Sequence, residues 1–138
     1  MKITMAITMT ALALLAAPAA MAAPVTLEAT DGGKALTGDP DHGKAVFNKC
    51  MACHSIKAGE NRVGPSLNGV IGRTAGTVAG FAYSPANKGS GIVWTQQKIF
   101  DYLAKPNAMV PGTKMVFPGL PAAQDRADVI AFLKENAK

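Results

Sequence analysis

The chain has 138 residues, 49% apolar and 17% charged, with 14 Lys and Arg against 9 Asp and Glu for a formal charge of +5. That balance excludes a disordered tail, a collagen-like repeat and a multi-span membrane protein. The basic residues form no run of the kind that marks a nucleic-acid arm, and at 6% aromatic the side chains alone make a thin core for this length.

The first segment reads as a secretory leader. Lys2 gives a positive start, and no charge follows from Ile3 through Leu27. The most apolar stretch, Thr10 to Ala17, ends at Pro18, and Ala20-Met21-Ala22 places small residues where a signal peptidase reads them. The leader is therefore expected over residues 1–22, with cleavage after Ala22 and a mature chain of 23–138. A retained membrane anchor fits less well, because the apolar stretch is short and interrupted by Pro18. Export points to an oxidising compartment such as the periplasm. Yet Cys50 and Cys53 are three apart, so a bridge between them would close a tiny loop and restrain almost nothing.

Residues 23–38, with Gly32, Gly33 and Gly38, read as an irregular leading segment. Asp39 then offers an N-cap acceptor, and Pro40 at N1 loses no useful donor. Gly43, Val46, Phe47 and Cys50 follow at helical spacing on one face, and this helix is expected to end near Cys53-His54. Residues 55–92 are rich in glycine, with Pro65 and Pro85, and read as compact loops with a helical turn at Ser84–Lys88. Thr95 caps a second predicted helix over Gln96–Lys105, with Ile99, Tyr102 and Leu103 inward and Pro106 as its stop. Asn107–Leu120 is another predicted loop, and a last helix spans about Pro121 to Asn136 with Val129, Ile130, Phe132 and Leu133 buried. The predicted fold class is all-α: three to four short helices and long ordered loops. Loops of that length in a small domain need something large and apolar to wrap. There is no internal repeat.

Cys50-Met51-Ala52-Cys53-His54 is a Cys-x-x-Cys-His motif, the pattern of c-type haem attachment. Two thiols three residues apart on a helical turn can each add to a vinyl group of one porphyrin. The next residue, His54, then aims its imidazole at the iron. The macrocycle also supplies the missing apolar bulk. A thioredoxin-like redox pair would need βαβ alternation, which the sequence lacks. A zinc site needs four ligands, and the two Cys and two His here, His42 included, have no usual zinc spacing. For a second axial ligand the candidates are His42, Met51, Met109 and Met115. Met51 lies inside the attachment motif and cannot reach the other face. His42 reads as a solvated first-turn residue. Met115 sits in the loop Pro111-Gly-Thr-Lys-Met115, although a methionine in a loop is more often packing than ligand.

Across about residues 38–138 the chain resembles a class I cytochrome c, of the group that holds mitochondrial cytochrome c and bacterial cytochrome c2. The resemblance is carried by Gly43-Lys-Ala-Val-Phe47, the attachment motif, Gly64-Pro-Ser-Leu-Asn-Gly-Val-Ile-Gly-Arg73 and Gly80-Phe-Ala-Tyr83. It continues through Ala86-Asn-Lys88, Gly91-Ile-Val-Trp94, Tyr102-Leu103, Pro111-Gly-Thr-Lys-Met115 and Arg126-Ala-Asp-Val-Ile-Ala-Phe-Leu-Lys134. It implies one haem c attached through Cys50 and Cys53, with His54 and Met115 as axial ligands. It implies that the Pro65 carbonyl orients the His54 ring. Arg73, Tyr83, Asn87 and Trp94 would hold the propionates. Tyr102 and Thr113 would form the hydrogen bonds beside Met115. Gly43 and Phe47 would pack on Phe132 where the first and last helices cross.

Two positions depart from the mitochondrial pattern. Asn68 stands where a loop-bridging histidine is usual, and Lys105 to Val110 lacks a lysine pair. The function implied is a soluble periplasmic one-electron carrier, monomeric and not an enzyme. Lys49, Lys57, Lys88, Lys105 and Lys114 would ring the haem edge toward acidic redox partners. The alternative is a haem enzyme or gas sensor, peroxidase-like, with an open or labile distal site. It requires Met115 to be off the iron.

Overall fold

The computed structural model describes residues 21–138. The predicted leader lies, up to residue 20, outside the described residues. Seven elements follow in order. Strands β1 (Val25–Asp31) and β2 (Lys34–Gly38) precede helices α1 (Pro40–Met51), α2 (Pro85–Lys88), α3 (Gln96–Ala104), α4 (Pro106–Met109) and α5 (Ala123–Asn136). Among the described residues no helix is long and apolar enough to cross a membrane.

The two strands correct the expectation of an irregular segment over 23–38. They pair antiparallel, with Val25 opposite Gly38 and Asp31 opposite Lys34. Gly32 and Gly33 turn the chain at φ +54° and +83°, the left-handed backbone that a tight two-residue hairpin requires. Leu27 and Ala29 point inward and are buried, while Thr26, Glu28 and Thr30 face out. The alternation is short, and its two buried positions are Leu27 and Ala29 rather than β-branched or aromatic residues, so the strand is weakly marked in the sequence.

Three helices, α1, α2 and α3, begin at side-chain caps. Asp39 accepts from the Asp41 and His42 amides, Ser84 from Asn87 and Thr95 from Lys98. α1 stops at Met51, earlier than expected, and the chain turns through Cys53 and His54, whose amides both donate to the Cys50 carbonyl at 3.0 and 2.8 Å. Pro106 ends α3 and also opens the short α4, so the predicted loop 107–120 starts with a helical turn.

α1 and α5 cross at close range. A Cβ on Gly43 would overlap the Asp128 carbonyl, and one on Gly38 would overlap that of Ala127, so only glycine lets the backbones meet. Phe47 and Phe132 stack beside the crossing with ring centroids 5.1 Å apart. His42 is not simply solvated. Half of its ring is exposed, but Nδ1 donates to Asp128 Oδ2 at 2.6 Å. Asp128 Oδ1 accepts from the Asp39 amide and from Gln124 Nε2, both at 2.7 Å. This buried carboxylate therefore fastens the start of α1 to α5.

Candidate functional site

A cavity of about 300 Å³ opens between the loops and the helices. Cys50, Cys53, His54, Pro65, Arg73, Tyr83, Asn87, Trp94, Tyr102, Thr113 and Met115 all line it. Every site residue named from sequence is thus brought to one place. The remaining wall is apolar: Phe47, Leu67, Val70, Phe81, Ile99, Phe117, Val129 and Leu133. Several of these were legible only as core positions of a helical stripe. Phe81, Ser84 and Phe117 were missed, because loop residues carry no periodicity.

The end of α1 sets the attachment side. Cys50 is partly buried on the last turn and Cys53 is exposed beyond it; they are not joined in a disulfide, and before attachment both are thiols. Burial pushes the Cys50 thiol up to about 11, partly offset by Lys49, so it is protonated at neutral pH. His54 follows at once. Its Nδ1 lies 2.7 Å from the Pro65 carbonyl, which can only accept, so Nδ1 carries the proton and the Nε2 lone pair is left for a ligand bond. Burial holds the His54 pKa below the usual imidazole range, the Pro65 bond opposes this, and Arg73 adds to it. The ring is therefore neutral. A Cβ on Gly64 would strike the imidazole, so Gly64-Pro65 forms a close-fitting cradle for it.

On the methionine side, the Tyr102 hydroxyl donates to Met115 Sδ at 3.2 Å, and the Met115 amide donates to Thr113 Oγ1 at 3.2 Å. Burial pushes the Tyr102 phenol up, with Thr113 opposing, so it stays a donor. Tyr102 stacks on Trp94 with centroids 4.7 Å apart. Around the polar end of the cavity, Arg73 donates to the Asn68 and Ser66 carbonyls at 2.7 and 3.0 Å, which fixes its guanidinium. Asn68 Nδ2 turns away, to the Lys138 carbonyl. Asn87 Oδ1 is buried with no partner. Such an amide end on a cavity wall is a vacancy for a polar group, and rotating the amide offers a carboxylate an N–H.

The donor set fits haem c. It offers two thiols at the attachment spacing, an imidazole with its far nitrogen free, a thioether, an apolar wall and a cationic and amide end. Among the described residues no three His, Cys, Asp or Glu side chains gather to hold a bare metal ion, so the zinc alternative has no ligand cluster there. The rim carries Lys49 and Lys114 with Val63 and Val116, which are 79% and 98% exposed.

The family model for cytochrome c matches residues 40–137. That match begins after the hairpin, so β1 and β2 lie outside it. Cytochrome c2 of Rhodoblastus acidophilus is 54% identical over 99 residues, covering 71% of this chain and 92% of that protein. Cytochrome c 2.1 of Caenorhabditis elegans is 50% identical over 103 residues, covering 73% and 93%. Among solved structures, cytochrome c2 from Rhodospirillum centenum superposes with a TM-score of 0.69 at 44% identity, covering 73% of this chain and all of that one. Cytochrome cH from Methylobacterium extorquens gives 0.67 at 45% identity, covering 71% and 99%. Family, fold and donor set agree: the chain belongs to the cytochrome c family, as a haem electron carrier rather than an enzyme, with one haem c bound through Cys50 and Cys53.

Proposed function

We propose that the protein is a periplasmic one-electron shuttle between redox complexes, with His54 and Met115 as the axial ligands. Bound haem supplies the chemistry, exchange of one electron between ferrous and ferric iron. The observation that carries the assignment is the state of the two ligand side chains. His54 has Nδ1 committed to the Pro65 carbonyl, which leaves the Nε2 lone pair free for the iron. Met115 has its sulfur pinned by Tyr102 on the wall of the same cavity. Ligands that are fixed before the electron arrives need little rearrangement when it does. Two protein ligands also leave no position for a substrate, which disfavours a peroxidase or gas-sensor role. A Met/His pair favours a raised potential.

Arg73, Tyr83, Asn87 and Trp94 would hold the propionates. Arg73 is suited by its fixed guanidinium, and Asn87 by a side-chain amide on the cavity wall whose N–H can donate to a carboxylate. The cytochrome c domain spans about 38–138, after a leader cleaved beyond Ala22. The exposed lysines 49, 57, 88, 105 and 114 would steer transient encounters with acidic partners, and the protein would act as a monomer.

Visible spectra of the haem-loaded protein test the ligation. A low-spin spectrum with the weak ferric band of methionine ligation, and a ferrous form inert to carbon monoxide, is the expected result. A high-spin spectrum or rapid carbon monoxide binding would reject Met115 as ligand.

A further inference from the structure

The hairpin precedes the family match, and its contacts tie it to α3. β1 carries hydrogen-bonding groups on two edges. One edge pairs with β2. The other is met by side chains from the first turn of α3, which complete it as a third strand would. The Glu28 amide donates to Gln96 Oε1 at 2.9 Å. The Thr30 amide donates to Gln97 Oε1 at 2.8 Å, and Gln97 Nε2 donates back to the Thr30 carbonyl at 3.2 Å. Gln96 is itself buried at 4% exposure, and Leu27 and Ala29 of β1 are buried in the same core as α3. The hairpin thus grips α3 from outside with both polar and apolar contacts.

α3 in turn carries the methionine side of the cavity. Tyr102 lies five residues after Gln97, about 140° round the helix axis at 3.6 residues per turn, so the gripped face and the Tyr102 face are largely opposed. Tyr102 donates to Met115 Sδ. The same helix fastens the far end of the Met115 loop, because the Leu120 amide donates to the Leu103 carbonyl at 2.7 Å. Gly119 sits so close to Ala104 that a Cβ there would overlap its carbonyl, at φ +106°. A shift of α3 toward the solvent would move the Tyr102 donor and the loop anchor together.

We propose that the hairpin is a positioning element for the distal side. Through Gln96 and Gln97 it holds α3, and through α3 it holds Tyr102 and the Met115 loop, so that it slows departure of the Met115 sulfur from the iron. Gln96 and Gln97 are positioning residues, since neither lines the cavity. The proposal rests on Met115 as the distal ligand.

The test uses the haem-loaded ferric protein and imidazole as the competing ligand. At saturating imidazole the rate is limited by methionine departure, followed through loss of the methionine–iron band. Gln97→Ala and the double variant Gln96→Ala/Gln97→Ala are expected to raise this rate about three- to tenfold, the scale of ordinary lost hydrogen bonds passed on in part to the loop. Gln124→Ala is the control. It removes one tie between β2 and α5, the donor to the Thr37 carbonyl 3.0 Å away, together with the donor to Asp128 Oδ1, and leaves the grip on α3 intact. An unchanged rate in the double variant overturns the proposal. So does equal acceleration by Gln124→Ala at an equal loss of melting temperature, which would make the effect one of general loosening. Met115→Ala separates the underlying assignment: if it keeps the ferric band and the wild-type imidazole kinetics, Met115 is not the ligand and the proposal falls for that reason.

Discussion

Met115 owes its position to two neighbours, the Tyr102 hydroxyl on its sulfur and the Thr113 hydroxyl on its amide. Removing the thioether should open the distal side. Met115→Ala is expected to bind carbon monoxide in the ferrous state and to lower the potential on the order of 0.1 V, within the roughly 0.8 V that axial ligands span; carbon monoxide titration and redox potentiometry measure both. Tyr102→Phe keeps the ring against Trp94 but removes the donor. It should weaken the hold on the sulfur by about 1 kcal/mol, read as an earlier loss of the methionine–iron band on heating with little change in global melting. At this scale the sequence was unusually informative. The attachment motif names the cofactor by chemistry alone, and the resemblance carried by the ordered series from Gly64 to Met115 pointed to Pro65, Arg73, Tyr83, Asn87, Trp94, Tyr102, Thr113 and Met115, though not to Phe81, Ser84 or Phe117. The partners of those residues were not legible. Nothing local marks the Asn68 and Ser66 carbonyls as the acceptors for Arg73, or Asp128 as the partner of His42, 86 residues away.

The crossing of α1 and α5 depends on missing side-chain atoms. Gly43→Ala forces a methyl group into the Asp128 carbonyl, and overpacking of this kind costs about 1–3 kcal/mol. Chemical denaturation should show that loss, while the visible spectrum is retained because Gly43 does not line the cavity. The same crossing carries a pH dependence. The hydrogen bond to Asp128 is the main cause that raises the His42 pKa, opposed by desolvation and helped by the charges of Asp128, Asp125 and Asp39. A raised folded-state value means that the imidazolium stabilises the fold. Its contribution is complete below the ordinary histidine pKa near 6.5 and fades as pH rises through the folded-state value. Melting temperatures should therefore show a decline over that window that His42→Ala removes; an identical pH profile in the variant would leave His42 without the role. Helix starts were legible because Asp39, Ser84 and Thr95 are caps whose chemistry is local. The hairpin was not, since Leu27 and Ala29 become a strand face only when α3 and α5 are there to cover them.

For the whole molecule, the loops from 52 to 84 and 110 to 122 make sense only around a large apolar filler, which is why composition and motif together anticipated the fold class better than any strand or helix count. The formal charge, +4 once the leader's Lys2 is left out (13 Lys and Arg against 9 Asp and Glu), and the exposed lysines near the rim predict electron transfer to an acidic partner that slows as salt is added. Stopped-flow rates across ionic strength would show it, and a flat profile would remove the lysines from docking. The helix crossing has one further consequence, for the order in which the chain comes together. The His42–Asp128 bond joins positions 86 apart, and bringing such ends together costs about 4 kcal/mol of chain entropy. Once that ring is closed, each intervening turn has only a short search left to make. If this meeting of α1 and α5 is the slow step, a methyl group at Gly43 should retard refolding in stopped-flow measurements as well as weaken the folded state; an unchanged refolding rate would place the crossing after the barrier.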